Sequence, residues 1–131
     1  MTATRIESAV MDSPWSPEAR AALGRLPFHE RATTEQQIAE ICAGKCAKLV
    51  VDGKLVGFLG YEIQGNAFFI TALVALSENT ALVATCREAI EAKARAIGCA
   101  FVGFWTPHPA LIEKLRLDGY AVTRAEMVKK L

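Results

Sequence analysis

The sequence predicts an α/β protein with a mixed sheet, in which most strands are antiparallel, one strand–helix–strand unit is parallel, and helices lie on both faces. The first observation is Asp52-Gly53, which separates two runs rich in β-forming residues, 47–51 and 54–63. Asp-Gly favours a two-residue hairpin here, because a type I′ turn needs positive φ at both central residues. The second observation is an apolar run at 67–76 that leads through a polar link into a helical pattern at 81–97. A strand that feeds a helix and then another strand is typical of a parallel crossover.

The composition indicates one globular domain over residues 1–131. The chain is 52% hydrophobic and 22% charged, with a net charge of +1, so neither a nucleic-acid footprint nor a basic membrane patch is expected. Its longest apolar run is about half of what a bilayer span needs. Because no signal-peptide pattern opens the chain, we expect a cytoplasmic protein. The four cysteines lack the spacing of a metal site and are expected to be ordinary thiols, so no metal is predicted.

The first elements are a strand and a helix. We expect the strand at 4–10, although its apolar residues alternate poorly. Ser16 can cap the free N–H groups of the helix that follows, and Pro17 suits the first helical position. The helix should end near Leu26, before Pro27, since proline disfavours helical backbone in the residue that precedes it.

A second helix should begin near Thr33-Thr34. Thr34 and Gln37 have the spacing of a capping box, and Gly44 is a natural stop. The hairpin follows, and a turn at 64–66 then leads into the strand at 67–76. Two short helices therefore precede three antiparallel strands.

The apolar strand at 67–76 is expected in the middle of the sheet, with cover on both faces. The helix at 81–97 is amphipathic, and its apolar side carries Leu82, Cys86, Ala89, Ile90, Lys93 and Ile97. A strand at 100–105 and a short helix that ends at Asp118-Gly119 follow. Residues 120–128 are then predicted to form a last strand.

This order of elements resembles that of the GNAT family of acyl-CoA-dependent N-acetyltransferases. The most specific part is the C-terminal half, where Ala94-Arg95-Ala96-Ile97-Gly98 and Gly119-Tyr120 are similar to the family pattern "AR..G … lYeklGF". The resemblance spans nearly the whole chain. It implies a GNAT-like fold and acetyl-CoA as the cofactor.

The resemblance also implies where the cofactor binds. In the family, acetyl-CoA lies in a V-shaped gap between the fourth and fifth strands, and a glycine-rich loop before the long helix wraps its phosphates. The strand positions and link positions that match are Leu73, Val74, Ala75, Leu76, Asn79, Thr80 and Ala81. Here the link has neither glycine nor arginine, and Glu78 places a negative charge near the expected phosphates. An ordinary capped helix is the alternative interpretation of this link.

Catalytic candidates are Glu62 and His108. Glu62 lies on the strand beside the proposed gap and could act as a general base, or it could be an exposed strand carboxylate. His108 follows the fifth strand and has a pKa suited to proton transfer, or it is a loop residue near a helix start. Leu115 matches the position of the family's usual acid, a tyrosine. Tyr61 and Trp105 could line an acceptor pocket or belong to the core.

Two functions remain open from the sequence. One is an acyl-CoA-dependent acetyltransferase that acts on a small-molecule or protein amine, with a divergent cofactor loop. The other is a non-catalytic GNAT-fold structural or interaction protein, for example a phage-encoded virion or assembly component that binds a protein partner or itself. A binder of a different small ligand is a third. The decisive feature is whether the strands at 70–76 and 101–105 splay apart.

Overall fold

The computed structural model describes residues 7–26, 28, 30–76, 82–105, 109–123 and 127–131. Five strands form one sheet in the order β1-β2-β3-β4-β5. All neighbours are antiparallel except β4 and β5, which are parallel. The predicted mixed sheet and its single crossover are confirmed. The elements are β1 Ser8–Ser13, α1 Pro17–Ala22, α2 Thr34–Ala43, β2 Lys45–Val51, β3 Lys54–Gln64, β4 Ala67–Ala75, α3 Leu82–Ile97, β5 Phe101–Phe104 and α4 Pro109–Arg116, with a 3-10 turn at Leu23–Arg25 after α1.

The hairpin between β2 and β3 forms as the sequence predicts. Asp52 has φ 49° and Gly53 has φ 80°, which is the left-handed backbone that a type I′ turn requires. The turn pairs Val51 with Lys54, and an irregularity between Leu49 and Val50 then shifts the register by one residue, so that Lys45 pairs with Tyr61.

The two early helices begin with side-chain caps. The Ser16 side chain accepts a hydrogen bond from the Ala19 N–H, and Pro17 occupies the first position of α1, as predicted. The capping box of α2 uses Thr33 and Gln36, so the predicted pair, one residue later, is wrong. Gln37 is instead buried, and its amide donates to the Ala32 carbonyl.

Helices cover both faces of the sheet, and each face has its own core. On one side, α3 contributes Cys86, Ile90 and Ala94, which pack on strand residues such as Leu59 and Phe68. On the other side, α1, the 3-10 turn and α2 cover Phe58, Ala72 and Val74. The buried stripe of α3 repeats every four residues, so Ile97, expected inside, falls outside it and is 44% exposed.

β3 holds the longest buried run in the sheet, from Gly57 to Tyr61. β4 lies between β3 and β5 and has helices on both faces, as expected. Of its residues only Phe68, Ala72 and Val74 are buried, and the others are half-buried.

Both terminal strands differ from the prediction. β1 runs along β2 from Ser8 to Ser13, whereas the strand was expected at 4–10; residues 1–6 lie outside the described part. The predicted last strand is wrong over the described residues 120–123 and 127–131, which form no strand. Val122, Met127 and Val128 are exposed there, because no neighbouring strand pairs with this tail. None of the described helices is long and apolar enough to cross a membrane.

Candidate functional site

The two parallel strands separate after a short paired stretch. β4 pairs with β5 only from Ala67, opposite Phe101, to Ile70, opposite Phe104. Its other edge stays paired with β3 as far as Ala75. Within the described residues, β4 therefore has an open edge from Thr71 to Ala75, because β5 ends at Phe104; that the two strands splay apart stays a prediction.

A β-bulge in β4 marks the point where the strands separate. Gly60 pairs with Ala72 and Tyr61 pairs with Ile70, so Thr71 is an extra residue in the ladder. A Cβ added at Gly60 would lie 2.7 Å from Thr71 Oγ1, so only glycine allows this approach. Among the described residues Thr71 Oγ1 is buried without a hydrogen-bond partner, and such an atom invites explanation by a ligand.

The backbone of β4 presents alternate residues to its two edges. The Leu76 N–H donates to the Val56 carbonyl at 2.9 Å, so Leu76 and Val74 direct their backbone groups towards β3. Leu73 and Ala75 then direct theirs towards the open edge. Of the four predicted β4 positions, the structure therefore brings Leu73 and Ala75 to the open edge by their backbone.

A cation lies at the end of this edge. Arg25, the last residue of the 3-10 turn, donates from Nη1 to the carbonyls of Ala75 and Leu76, both at 3.2 Å. The arginine is exposed. Sequence reasoning missed it, because Arg25 is about fifty positions away in the chain and no local pattern singles it out.

Glu62 lies on the face of the sheet that also carries Gly60. It pairs with Phe69 across to β4, and a Cβ at Gly44 would lie 3.0 Å from Glu62 Cγ. The carboxylate accepts a weak hydrogen bond from Gln64 Nε2 at 3.4 Å. Glu62 is half-buried, so it can exchange protons with a bound molecule.

Several predicted residues lie outside the described part of the chain: His108, Asn79, Thr80 and Ala81. Leu115 is a buried core residue and has no proton to give. Trp105 is 58% exposed rather than buried in the core.

Tyr61 belongs to the core on the α3 side, in a cluster that sequence reasoning missed. Its hydroxyl donates to Asp12 Oδ1 at 2.5 Å, and Lys93 Nζ lies 3.1 Å from the same oxygen. The Tyr61 ring stacks on Phe68 with centroids 4.4 Å apart. The Tyr61 hydrogen bond lowers the pKa of Asp12, while burial and the Asp12 carboxylate raise the pKa of Tyr61. Because these groups satisfy one another, the cluster is suited to stability rather than to turnover.

Neither a protein-family model nor a curated protein sequence matches the chain. Among the described residues no group of three His, Cys, Asp or Glu side chains could hold a metal ion.

Several solved structures are similar over nearly the full length. A ribosomal-protein-alanine N-acetyltransferase from Brucella melitensis biovar Abortus 2308 is 14% identical, with a TM-score of 0.62 and coverage of 97% of this chain and 99% of the other. Glucosamine-6-phosphate N-acetyltransferase from Arabidopsis thaliana is 16% identical, with a TM-score of 0.56 and coverage of 95% and 98%. The aminoglycoside acetyltransferase AAC(6')-Iy, solved with a bisubstrate analogue of CoA, is 14% identical, with a TM-score of 0.57 and coverage of 95% and 98%. At these identities the likeness concerns the fold, and the chain has the fold of the GNAT acetyltransferases.

Proposed function

We propose that this chain is an acyl-CoA-dependent N-acetyltransferase that acts on an amine. The observation that carries the proposal is the open edge of β4 beside the bulge at Thr71. A sheet rarely leaves the backbone of an inner strand unpaired without a ligand or a further strand to satisfy it. The similar structures add support, because AAC(6')-Iy was solved with a CoA-based analogue. No observation favours the structural alternative, a phage virion or assembly component.

The described residues fit the pantetheine arm of the cofactor. Leu73 and Ala75 turn backbone groups towards the open edge, where the amides of an extended chain can pair with them as a strand would. The Ala75 carbonyl already accepts a hydrogen bond from Arg25. The backbone N–H and carbonyl of Leu73 are therefore more available to a ligand than those of Ala75.

Arg25 is proposed to replace the missing charge of the phosphate loop. The link at 77–81 contains Glu78 and no basic residue. The Arg25 guanidinium holds the carbonyls of Ala75 and Leu76, immediately before that link, so its remaining N–H groups can bind phosphate oxygens. Asn79, Thr80 and Ala81 stay predicted contacts of the same phosphates.

Glu62 is proposed as the general base. When bound, acetyl-CoA supplies an activated thioester. An alkylammonium cannot attack it until it has lost a proton, and Glu62 can accept that proton directly or through one water. The carboxylate lies on the same face as Gly60, two positions of β4 away from the bulge. His108 stays the second candidate for this role.

The test is cofactor binding followed by turnover. We expect CoA to bind in isothermal titration calorimetry and acetyl-CoA to be consumed in the presence of an amine. Glu62→Gln should lower kcat by about 10²–10⁴ while CoA binding persists. Glu88→Gln, an exposed change on α3, is the matched control and should leave both unchanged. If millimolar CoA gives no heat and does not shift the melting temperature, the proposal is wrong.

The role of Arg25 is tested by comparing the affinity for CoA with the affinity for pantetheine, a ligand without phosphates. Arg25→Gln should weaken CoA about tenfold, because it removes a charged partner of the phosphates. It should leave pantetheine unchanged. Arg20→Gln, on the exposed side of α1, controls for lost net charge. Equal weakening of both ligands would mean that Arg25 only supports the end of β4.

A further inference from the structure

One row of side chains crosses three strands beside the open edge. Glu62 on β3 pairs with Phe69 on β4, and Phe69 pairs with Gly103 on β5. Phe101 lies on the same face as Gly103, because side chains alternate along a strand. Trp105 follows just beyond the end of β5. We call Phe69, Phe101, Gly103 and Trp105 the aromatic face.

The aromatic face is open in the described part of the chain. Phe101 is 62% exposed and Trp105 is 58% exposed. A Cβ added at Gly103 would lie 3.3 Å from Phe69 Cδ2. The Phe69 ring therefore lies across the β5 backbone, and glycine keeps this surface free of a side chain that would push the ring away. Exposed aromatic surface of this kind is typical of a binding site.

The Glu62 carboxylate borders the aromatic face, because Glu62 pairs with Phe69. Over the described residues Glu62 forms no ion pair, and the one hydrogen bond found for its side chain comes from Gln64. The described cations that do pair with carboxylates lie elsewhere, for example Lys93 with Asp12 on the other side of the sheet. A negative charge next to aromatic rings complements a ligand that carries a cation on an apolar body.

We infer that this face binds the acceptor, and that the acceptor is a primary ammonium attached to a flat apolar group. The inference rests on the proposed function and names its acceptor class. The ammonium would pair with Glu62, and its apolar body would lie on Phe69 and Trp105. An aminosugar would need many more polar partners than the aromatic rings of this row supply. Phe69, the β4 partner of Glu62, lies two positions before Thr71, about 7 Å along the strand from the start of the open edge.

The test uses binding rather than turnover, with the whole chain and no cofactor. The two tryptophans are replaced by 5-fluorotryptophan, and their fluorine NMR signals are assigned with Trp105→Phe. We expect 2-phenylethylamine to move the Trp105 signal. The Trp15 signal should stay, because the Trp15 indole is half-buried and bonded to the Gly44 carbonyl. Glucosamine should move neither signal.

The charge is tested with 2-phenylethanol, which lacks the ammonium. Glu62→Gln should weaken 2-phenylethylamine about two- to fivefold, as expected for an exposed ion pair, and leave 2-phenylethanol unchanged. Equal effects on the two ligands, or an unmoved Trp105 signal, would overturn the inference. So would a Trp105 signal that changes with protein concentration alone, since a second copy would then cover the face. Failure of CoA to bind would refute the proposed function and leave this result standing.

Discussion

Tyr61 and Gly60 are neighbours on β3, but they face opposite sides of the sheet. The two sides differ in whether the buried polar groups there have hydrogen-bond partners. On the α3 side, Tyr61 is buried, stacked on Phe68 and bonded to Asp12. On the other side, Gly60 admits Thr71, whose buried hydroxyl finds no partner among the described residues. The α3 side is packed for stability, whereas the bulge side keeps unmet hydrogen-bonding capacity. Both faces carry a core, but only the bulge side holds a buried polar atom without a partner among the described residues, and the substitutions below test this difference.

The largest effect is expected from Phe68→Ala. Phe68 is fully buried in the α3-side core, so its truncation should reduce the free energy of unfolding by about 3–5 kcal/mol in urea denaturation. Phe101→Ala, in the strand paired with β4 but exposed, should change it by less than about 0.5 kcal/mol. Similar losses for the two variants would show that the aromatic face is part of the core.

A smaller effect is expected from Gly60→Ala. The added methyl would meet Thr71 Oγ1 at 2.7 Å and Ile41 Cγ2 at 3.1 Å, so about 1–3 kcal/mol of stability should be lost. Thr71→Ala alone should be nearly neutral, because it removes a hydroxyl that gains nothing from its surroundings.

The pair of substitutions gives the sharper result. In the Thr71→Ala background the cost of Gly60→Ala should fall, and a double-mutant cycle measures the difference. Strict additivity would mean that Gly60 and Thr71 do not meet as described.

The smallest effect, with a pH dependence, is expected from Tyr61→Phe. Loss of the hydrogen bond to Asp12 should reduce stability by about 1–2 kcal/mol at neutral pH. The hydrogen bond lowers the pKa of Asp12 below its usual 3.8. That stabilisation is therefore present above pH 3.8 and is lost as the pH falls through the folded-state pKa.

At high pH the sign follows from Tyr61 itself. Its pKa is raised above the usual 10, so the unfolded chain releases the phenolic proton first. The parent chain should therefore lose stability above pH 10, and Tyr61→Phe should lose less, because Tyr120, whose pKa burial also raises, is then the one tyrosine that contributes. Asp12→Asn is the control, since it should remove the low-pH difference in stability between the parent chain and Tyr61→Phe. If that difference persists when both proteins also carry Asp12→Asn, the acid effect comes from other carboxylates.

The central part of the fold could be predicted because its signals are local. Asp52-Gly53 specifies a turn type by itself, and α3 shows its helical period within sixteen residues. The last strand could not be predicted in this way. Val122 and Val128 have the right side chains, but a strand also needs a partner, and partners are decided by tertiary structure.

The candidate site was predictable only in outline. The resemblance placed the gap at β4, and the described pairing leaves β4 unpaired on that side from Thr71 to Ala75; the splay itself stays a prediction. The bulge at Thr71 depends on the register between β3 and β4, which side-chain pattern alone does not fix. Gly60, a glycine inside a strand, was the available signal, since such glycines often mark a bulge or a close approach. Arg25 and the Asp12–Tyr61–Lys93 cluster join residues far apart in sequence, so no local signal existed for them.

The bulge also changes what β4 shows to each side of the sheet. Before it, the even-numbered Phe68 and Ile70 face α3; after it, the odd-numbered Leu73 and Ala75 do. The extra residue at Thr71 thus reverses which face of the sheet the even-numbered and the odd-numbered residues of β4 occupy. A chain lacking Thr71 would keep every core side chain in phase and pair as a regular ladder with β3. Such a deletion would show whether the extra residue is needed for the open edge of β4, which begins at Thr71 where β5 has ended.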